Sequence, residues 1–170
     1  MAIIRHKEQR VGVFIDVQNL YYSAKHLYNH KVNFREILRT AVSGRKLIRS
    51  IAYVVRTKTG EEKPFFDALV ASGIETKERE LQEFYGGAKK ADWDVGIVVD
   101  MIRLKEALDV IVLVSGDGDF TDVIEYLKYH GKQVEVMSFG KSTSRKIKES
   151  ADDYFDLDQE PDKYLMKSRL

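Results

Sequence analysis

The chain contains no cysteine. This excludes disulfides, thiolate catalysis and cysteine-held zinc or iron–sulfur sites, and it fits a reducing compartment. Proline is scarce, with two in 170 residues, and no Ser/Gly-rich or repeated stretch marks a linker. A single domain over residues 1–170 is expected, with a core of about 10–158 and short tails. An excess of one charge is also missing. The 28 Lys+Arg and 27 Asp+Glu leave a net charge of +1, so any nucleic acid must be held by local basic patches rather than a bulk field. No apolar run approaches the roughly 18 residues that a membrane helix needs. The opening MAIIRHKEQR is too short and too charged for a signal peptide. A soluble cytoplasmic protein without a membrane partner is the expectation. His6, His26, His30 and His130 are scattered, with no paired ligand spacing. No Gly-x-Gly-x-x-Gly follows the first predicted strand and no Walker loop is present, which argues against dinucleotide and P-loop sites. A haloacid-dehalogenase-like phosphatase needs Asp-x-Asp there, but the chain reads Asp16-Val17-Gln18.

What is present is a regular alternation of elements. VGVFIDV (11–17) is a short, β-branched, apolar run and predicts a buried strand ending near Asp16. Helices are expected over about 19–27 and 34–41, a strand over 47–55, and a helix over about 62–72 with Pro64 in its first turn. A further strand over 74–81 leads into a polar loop, 82–91. The best helical pattern covers 94–108, with Val95, Val98 and Ile102 at helical spacing and Asp92 as its cap. VIVLV (110–114) is continuously apolar, as a strand buried on both faces of a parallel sheet would be. A helix over 120–129, a strand over 134–138 and a short basic helix over 142–150 complete the core, with Tyr154-Phe155 pairing at an edge. Strand–helix alternation implies an α/β fold, a three-layer α/β/α sandwich on a mainly parallel sheet, in which strand carboxyl ends line the ligand crevice.

Acids fall at those ends. Asp16 closes the first strand, Asp117 and Asp119 follow the strongest one, Asp94 opens the helix between them in sequence, and Asp122 lies one turn beyond Asp119. Carboxylates gathered in one crevice repel one another and lose solvation. A divalent cation removes both penalties, and an oxygen-only ligand set favours Mg²⁺ or Mn²⁺ over zinc. One or two such ions can activate water against a phosphodiester. Each acid also has a structural reading. Asp119 could cap the helix that follows it, Asp117 could be a turn residue, and Asp92 and Asp94 suit a helix amino end. Asp16 interrupts an apolar strand, where a buried charge needs a partner.

Three of these segments carry a resemblance. FIDVQNL (14–20), KKADWDVGIVVDM (89–101) and VSGDGDF (114–120), followed by HGKQVEVMSF (130–139), resemble in order the acidic motifs of NYN-domain proteins, a branch of the PIN-like nucleases, with the LabA-like subgroup most similar. The likeness covers about residues 10–158. It implies a PIN-like, Rossmannoid fold and metal-dependent, endonucleolytic cleavage of RNA. By position, Asp16, Asp94, Asp117 and Asp119 would form the catalytic and metal-binding cluster, Asn19 would orient Asp16 or a water, and Asp122 would be a peripheral acid. Asp100, on another face of the helix, reads as structural.

RNA would then need a path. Lys89, Lys90, Lys141 and Arg145 are the named RNA-binding candidates, with Lys25, Lys146 and Lys148 nearby, and the Ser142-Thr143-Ser144 run could offer a helix amino end to phosphate. Trp93, Tyr21, Tyr22 and Tyr85 could stack on unpaired bases, although lysines are commonly solvated surface and Trp93 suits a core position. Single-stranded RNA is the expected partner, and a homodimer is left open. The alternative is a non-catalytic RNA-binding or regulatory protein on the same fold, in which the acids hold a structural ion or none.

Overall fold

The computed structural model describes residues 3–83, 89–90 and 92–169. In chain order the elements are β1 (Arg10–Asp16), α1 (Val17–Tyr28), β2 (His30–Val32), α2 (Phe34–Val42), β3 (Lys46–Arg56), α3 (Lys63–Ala71), β4 (Glu75–Glu80), β5 (Gln82–Glu83) and β6 (Lys89–Lys90). They continue with α4 (Asp94–Leu104), β7 (Val110–Val114), α5 (Thr121–Tyr129), β8 (Gln133–Ser138), α6 (Arg145–Ser150), β9 (Asp153–Asp156), α7 (Pro161–Tyr164) and β10 (Leu165–Arg169).

Six strands form one sheet in the order β4-β3-β1-β7-β8-β9, and every pairing in it is parallel. Alternation within the strands divides the core into two. Val11, Val13 and Ile15 of β1 and Val110, Val112 and Val114 of β7 meet Leu20, Ile37 and Leu69 from α1, α2 and α3. Phe14, Ile111 and Leu113 face the other way, against Ile97 and Met101 of α4, Ile124 and Leu127 of α5, and Ile147 of α6. Period-two side chains on strands buried from both sides explain why β1 and β7 read as unbroken apolar runs. Helices on both faces of a parallel sheet make the expected α/β/α sandwich.

Chain order decides where a site can form. From β1 the chain steps outward to β3 and β4, then returns through α4 to the opposite side of β1 and continues to β7, β8 and β9. The direction therefore reverses between β1 and β7, and in open parallel sheets the crevice lies at such a switch, beyond the carboxyl ends of the two strands. Asp16 ends β1 and Asp117 follows β7.

Several boundaries differ from those read in the sequence. The polar stretch 82–91 contains a paired β5–β6 ribbon, with Gln82 opposite Lys90 and Glu83 opposite Lys89; Tyr85 lies outside the described residues. The two-stranded β10–β2 sheet has no clear alternation to announce it. The basic helix expected over 142–150 begins only at Arg145, after a 3₁₀ turn over 140–142 and an extended Thr143. Of the Ser142-Thr143-Ser144 run only Ser144 sits at the helix start, as its cap residue without a side-chain cap bond, and the helix is six residues long.

One buried ion pair ties the helices to the sheet. Arg45 and Glu135 side chains are 1% and 7% exposed and pair through two bonds, Nη1 to Oε2 at 2.9 Å and Nη2 to Oε1 at 3.0 Å. Arg45 also donates to the carbonyls of Ala41 and Val42 at the end of α2. Burial alone would raise the Glu135 pKa, but the hydrogen bonds from Arg45 and Gln133 and the Arg45 charge outweigh it and hold the carboxyl below its usual range. A depressed carboxyl contributes stability above the unfolded value that is lost as pH falls through the folded value. Arg45→Ala, which strands the carboxylate, is expected to cost about 3–5 kcal/mol in denaturant unfolding at pH 7, and the double change to Met at both positions to recover most of it. An equal loss in the single and double variants would refute this assignment.

Candidate active site

The acidic crevice is built on hydrogen bonds between the ends of β1 and β7. Asp16 is both the last residue of β1 and the cap of α1: its Oδ1 accepts the Asn19 backbone N–H at 3.4 Å. Its Oδ2 accepts the buried Ser115 hydroxyl at 3.0 Å. Asn19 turns its side-chain Oδ1 to the Gly116 N–H at 2.9 Å. Ser115 Oγ accepts the Asp117 N–H at 3.2 Å, and Asp117 Oδ1 accepts the Asp119 N–H at 2.9 Å. The result is a continuous chain of bonds, from Asp16 through Ser115 to Asp117 and Asp119.

The same loop is pressed against the segment before α6. A Cβ on Gly116 would lie 2.8 Å from Thr143 Oγ1, and one on Gly118 would lie 2.6 Å from Ser144 Oγ. Both approaches exclude a side chain, so the glycines that flank Asp117 serve close packing.

Asp94, Asp117 and Asp119 each present a carboxylate oxygen, all within 4.8 Å of one another. These are residues from two elements distant in sequence, brought to one point by the return of the chain through α4. Asp16 is not within this tight group of three, but it belongs to the same electrostatic unit. Burial, reinforced by the charges of Asp117 and Asp92, pushes the Asp16 carboxyl up to about 6 against the bonds from Ser115 and Asn19. Burial, then the charges of Asp117, Asp92 and Asp16, pushes Asp94 up to about 7.

The remaining sequence candidates separate clearly. Asp119 does not cap the helix after it; Asp117 caps the 3₁₀ turn 118–120, and α5 has no side-chain cap. Asp92 is not the cap of α4: Trp93 occupies that position without a side-chain cap bond, and Asp92 Oδ1 accepts the Asp94 N–H at 2.7 Å in the turn just before the helix. Asn19 supports Asp16 through its backbone, while its side chain secures the β7 loop. Asp122 is exposed on the first turn of α5 and is not among the three clustered acids. Asp100 is buried and accepts from Tyr53 at 2.7 Å and Lys77 at 2.8 Å, the structural role expected of it. Trp93 donates its indole N–H to the Val54 carbonyl at 2.8 Å and packs edge-on against Tyr53, so it serves packing rather than base stacking. Tyr21 and Tyr22 are exposed on α1.

Among the basic candidates, Lys141 is exposed, and its backbone N–H bonds Asp158. Arg145 is exposed but paired with Glu149 at 2.7 Å. The backbones of Lys89 and Lys90 lie in β6, and their side chains lie outside the described residues. The cation that sequence reasoning passed over is Arg79, inside the strand expected over 74–81: it donates to the Asp92 carbonyl at 2.6 Å, beside the helix that carries Asp94. No spacing rule flags an arginine from β4 as a neighbour of α4.

A parallel α/β sheet with clustered carboxylates at its switch point is the arrangement of a PIN-like protein, and it fits a nuclease. The NYN domain family matches residues 10–158, and the chain belongs to that family. It is 29% identical over 166 residues to the Low amplitude and bright protein LabA of Synechococcus elongatus, covering 89% of this chain and 85% of that relative. The crystal structure of a Vibrio parahaemolyticus protein of unknown function superposes with a TM-score of 0.86 at 27% identity, over 96% of this chain and 100% of the other. No helix among the described residues is long and apolar enough to cross a membrane.

Raised carboxyl pKa values have a consequence for the metal-free protein. The folded state holds protons at Asp16 and Asp94 that an unfolded carboxyl, with a pKa of about 3.9, has already released. This contribution to stability is greatest below the unfolded value and declines as pH rises through about 6 and 7. In chelator-treated protein, Asp94→Asn is therefore expected to raise the melting temperature at pH 8 by roughly 2–4 °C, for about 1 kcal/mol of relieved repulsion after solvent screening. The gain should shrink at pH 5 and vanish only below the unfolded value of about 3.9. A melting temperature at pH 8 that is unchanged or lowered would show that the acids do not strain one another.

Proposed function

We propose that this protein is a metal-dependent ribonuclease that hydrolyses RNA phosphodiester bonds, acting within the strand as an endonuclease. The observation that carries this reading is the convergence of Asp94, Asp117 and Asp119 within 4.8 Å, at the crevice the sheet order creates. The donor set fits a hard divalent cation. It is all oxygen, as Mg²⁺ and Mn²⁺ prefer, and the mutual repulsion within it gives a cation something to relieve.

Asp94, Asp117 and Asp119 would hold the cation, and Asp16 would complete the negative field from behind them, directly or through water. A divalent cation bound there supplies Lewis-acid activation of water and neutralises charge on the phosphate as the ester breaks. The chain's own contribution is placement. Ser115 and the Asn19 N–H hold Asp16, Asn19 fixes Gly116, and Asp117 fixes Asp119, so the carboxylates need little reorganisation when substrate arrives. In the hydrolysis a water oxygen bonds to phosphorus, one P–O ester bond breaks, and the departing oxygen takes up a proton. Asp122, Lys141 and Arg145 lie outside the cluster of three; their place in the proposal is at the rim, with Lys89 and Lys90, where a single-stranded RNA backbone would run. A cytoplasmic location accords with RNA as substrate.

Purified protein is expected to cut generic single-stranded RNA in Mn²⁺, to lose activity with chelator, and to lose about 100-fold or more in Asp94→Asn and Asp117→Asn. Single-stranded DNA and duplex RNA of the same sequence test the choice of substrate. Retarded but uncut RNA in every cation would favour the non-catalytic binding module, and equal cutting by wild type and Asp94→Asn would mean that the activity comes from elsewhere.

A further inference from the structure

The start of α4 is held from outside by a device that the acidic motif does not include. Arg79, at the end of β4, places its guanidinium over the Trp93 ring, 3.9 Å from the ring centroid. It also donates to the Asp92 carbonyl at 2.6 Å. Trp93 in turn is pinned to β3, with its indole N–H on the Val54 carbonyl at 2.8 Å and its ring 5.2 Å from that of Tyr53. The indole lies directly on the first turn of α4: a Cβ on Gly96 would be 2.6 Å from Trp93 Cε3 and 3.1 Å from Arg79 Nη2. Only glycine at 96 allows the stack to close. Asp92 and Trp93 before Asp94 and Gly96 after it are thus fixed by one sandwich of guanidinium, indole and helix backbone. Further along, Asp100 is tied to Tyr53 and Lys77, which sets the rotation of α4 about its own axis.

We infer that Arg79 and Trp93 are positioning residues: they clamp the amino end of α4 against β3 and β4, so that Asp94 is delivered to Asp117 and Asp119, and they thereby tighten cation binding at the three carboxylates. The inference rests on the acidic cluster being the cation site proposed above. It competes with a purely electrostatic role for Arg79, and the two differ in sign. A positive charge beside an acidic cluster opposes a cation, so its removal should tighten binding by Coulomb's law alone. A clamp predicts the reverse, because losing the support of a metal ligand typically weakens affinity about 10–100-fold. Lysine at 79 keeps the charge but cannot stack a planar guanidinium on the indole while bonding the carbonyl, so it should not rescue.

The test is titration of Mn²⁺ into the full chain, followed by calorimetry and by the loss of the free-ion paramagnetic signal. Wild type is compared with Arg79→Ala, Arg79→Lys, Trp93→Phe and, as a control, Arg49→Ala, whose guanidinium pairs with Glu75 and bonds neither Asp92 nor Trp93. Because Arg79 is exposed and Arg49 only half-buried, neither variant empties the core, and both should fold. Binding weakened about 10-fold in both Arg79 variants, with Trp93→Phe weakened as well and Arg49→Ala unchanged, supports the clamp. Affinity in Arg79→Ala that is unchanged or tighter overturns it, as does full rescue by lysine. Mn²⁺ binding that follows the clamp without any RNA cleavage would sink the ribonuclease reading alone, whereas a wild type that binds no Mn²⁺ would sink both.

Discussion

Like charges held close together are the constraint around which this molecule is organised. Carboxylate oxygens of Asp94, Asp117 and Asp119 lie within 4.8 Å of one another, and the buried Asp16 feels the charge of Asp117. In water they would separate. They stay together because the backbone gives them no alternative: Asp16 is fixed by a strand end and a helix start at once, Asp117 and Asp119 by a tight turn bonded to Ser115, and Asp94 by the first turn of a helix packed on its own tryptophan. Burial first, and their mutual repulsion second, displaces the Asp16 and Asp94 carboxyls upward. Such a site stores unfavourable electrostatic energy in the metal-free protein, which a cation bound there would release.

The global fold makes this crowding affordable in structural terms. Asp16 and Asp117 are neighbours because β1 and β7 are neighbours, and those strands are the two most thoroughly buried of the sheet, with Val11, Val13, Phe14, Ile15 and all five residues of β7 inaccessible to solvent. A rigid platform beneath mobile chemistry is the usual division of labour in α/β proteins. The buried Arg45–Glu135 pair does for the far end of the sheet what hydrogen bonds do at the site, joining α2 to β8 where the core would otherwise meet an uncompensated charge.

Most of this architecture was legible in the amino-acid sequence, for physical reasons. VGVFIDV and VIVLV announce doubly buried strands, and an acid at the end of each marks the crevice. The acidic residues could be named, but not their geometry: spacing along the chain does not say that Asp94, Asp117 and Asp119 form the tight group while Asp16 stands outside it. The helix expected from Ser142 fails because Thr143 must stay extended to pack on Gly116, a tertiary requirement that no local propensity encodes. Asp119 looked like a helix cap by position, yet Asp117 takes that role because the chain inserts a 3₁₀ turn first. The β10–β2 pair joins segments more than a hundred residues apart without alternation. Arg79 was invisible for the same kind of reason, since its stacking partner is met only when β4 is laid beside α4.

The central claim is that the three carboxylates share one hard cation. Anomalous diffraction from crystals grown or soaked in Mn²⁺, collected near the manganese edge, tests it most directly. The account predicts a peak within coordination distance of oxygens from Asp94, Asp117 and Asp119 together. A peak elsewhere, or an acidic crevice without anomalous signal at saturating Mn²⁺, would contradict it.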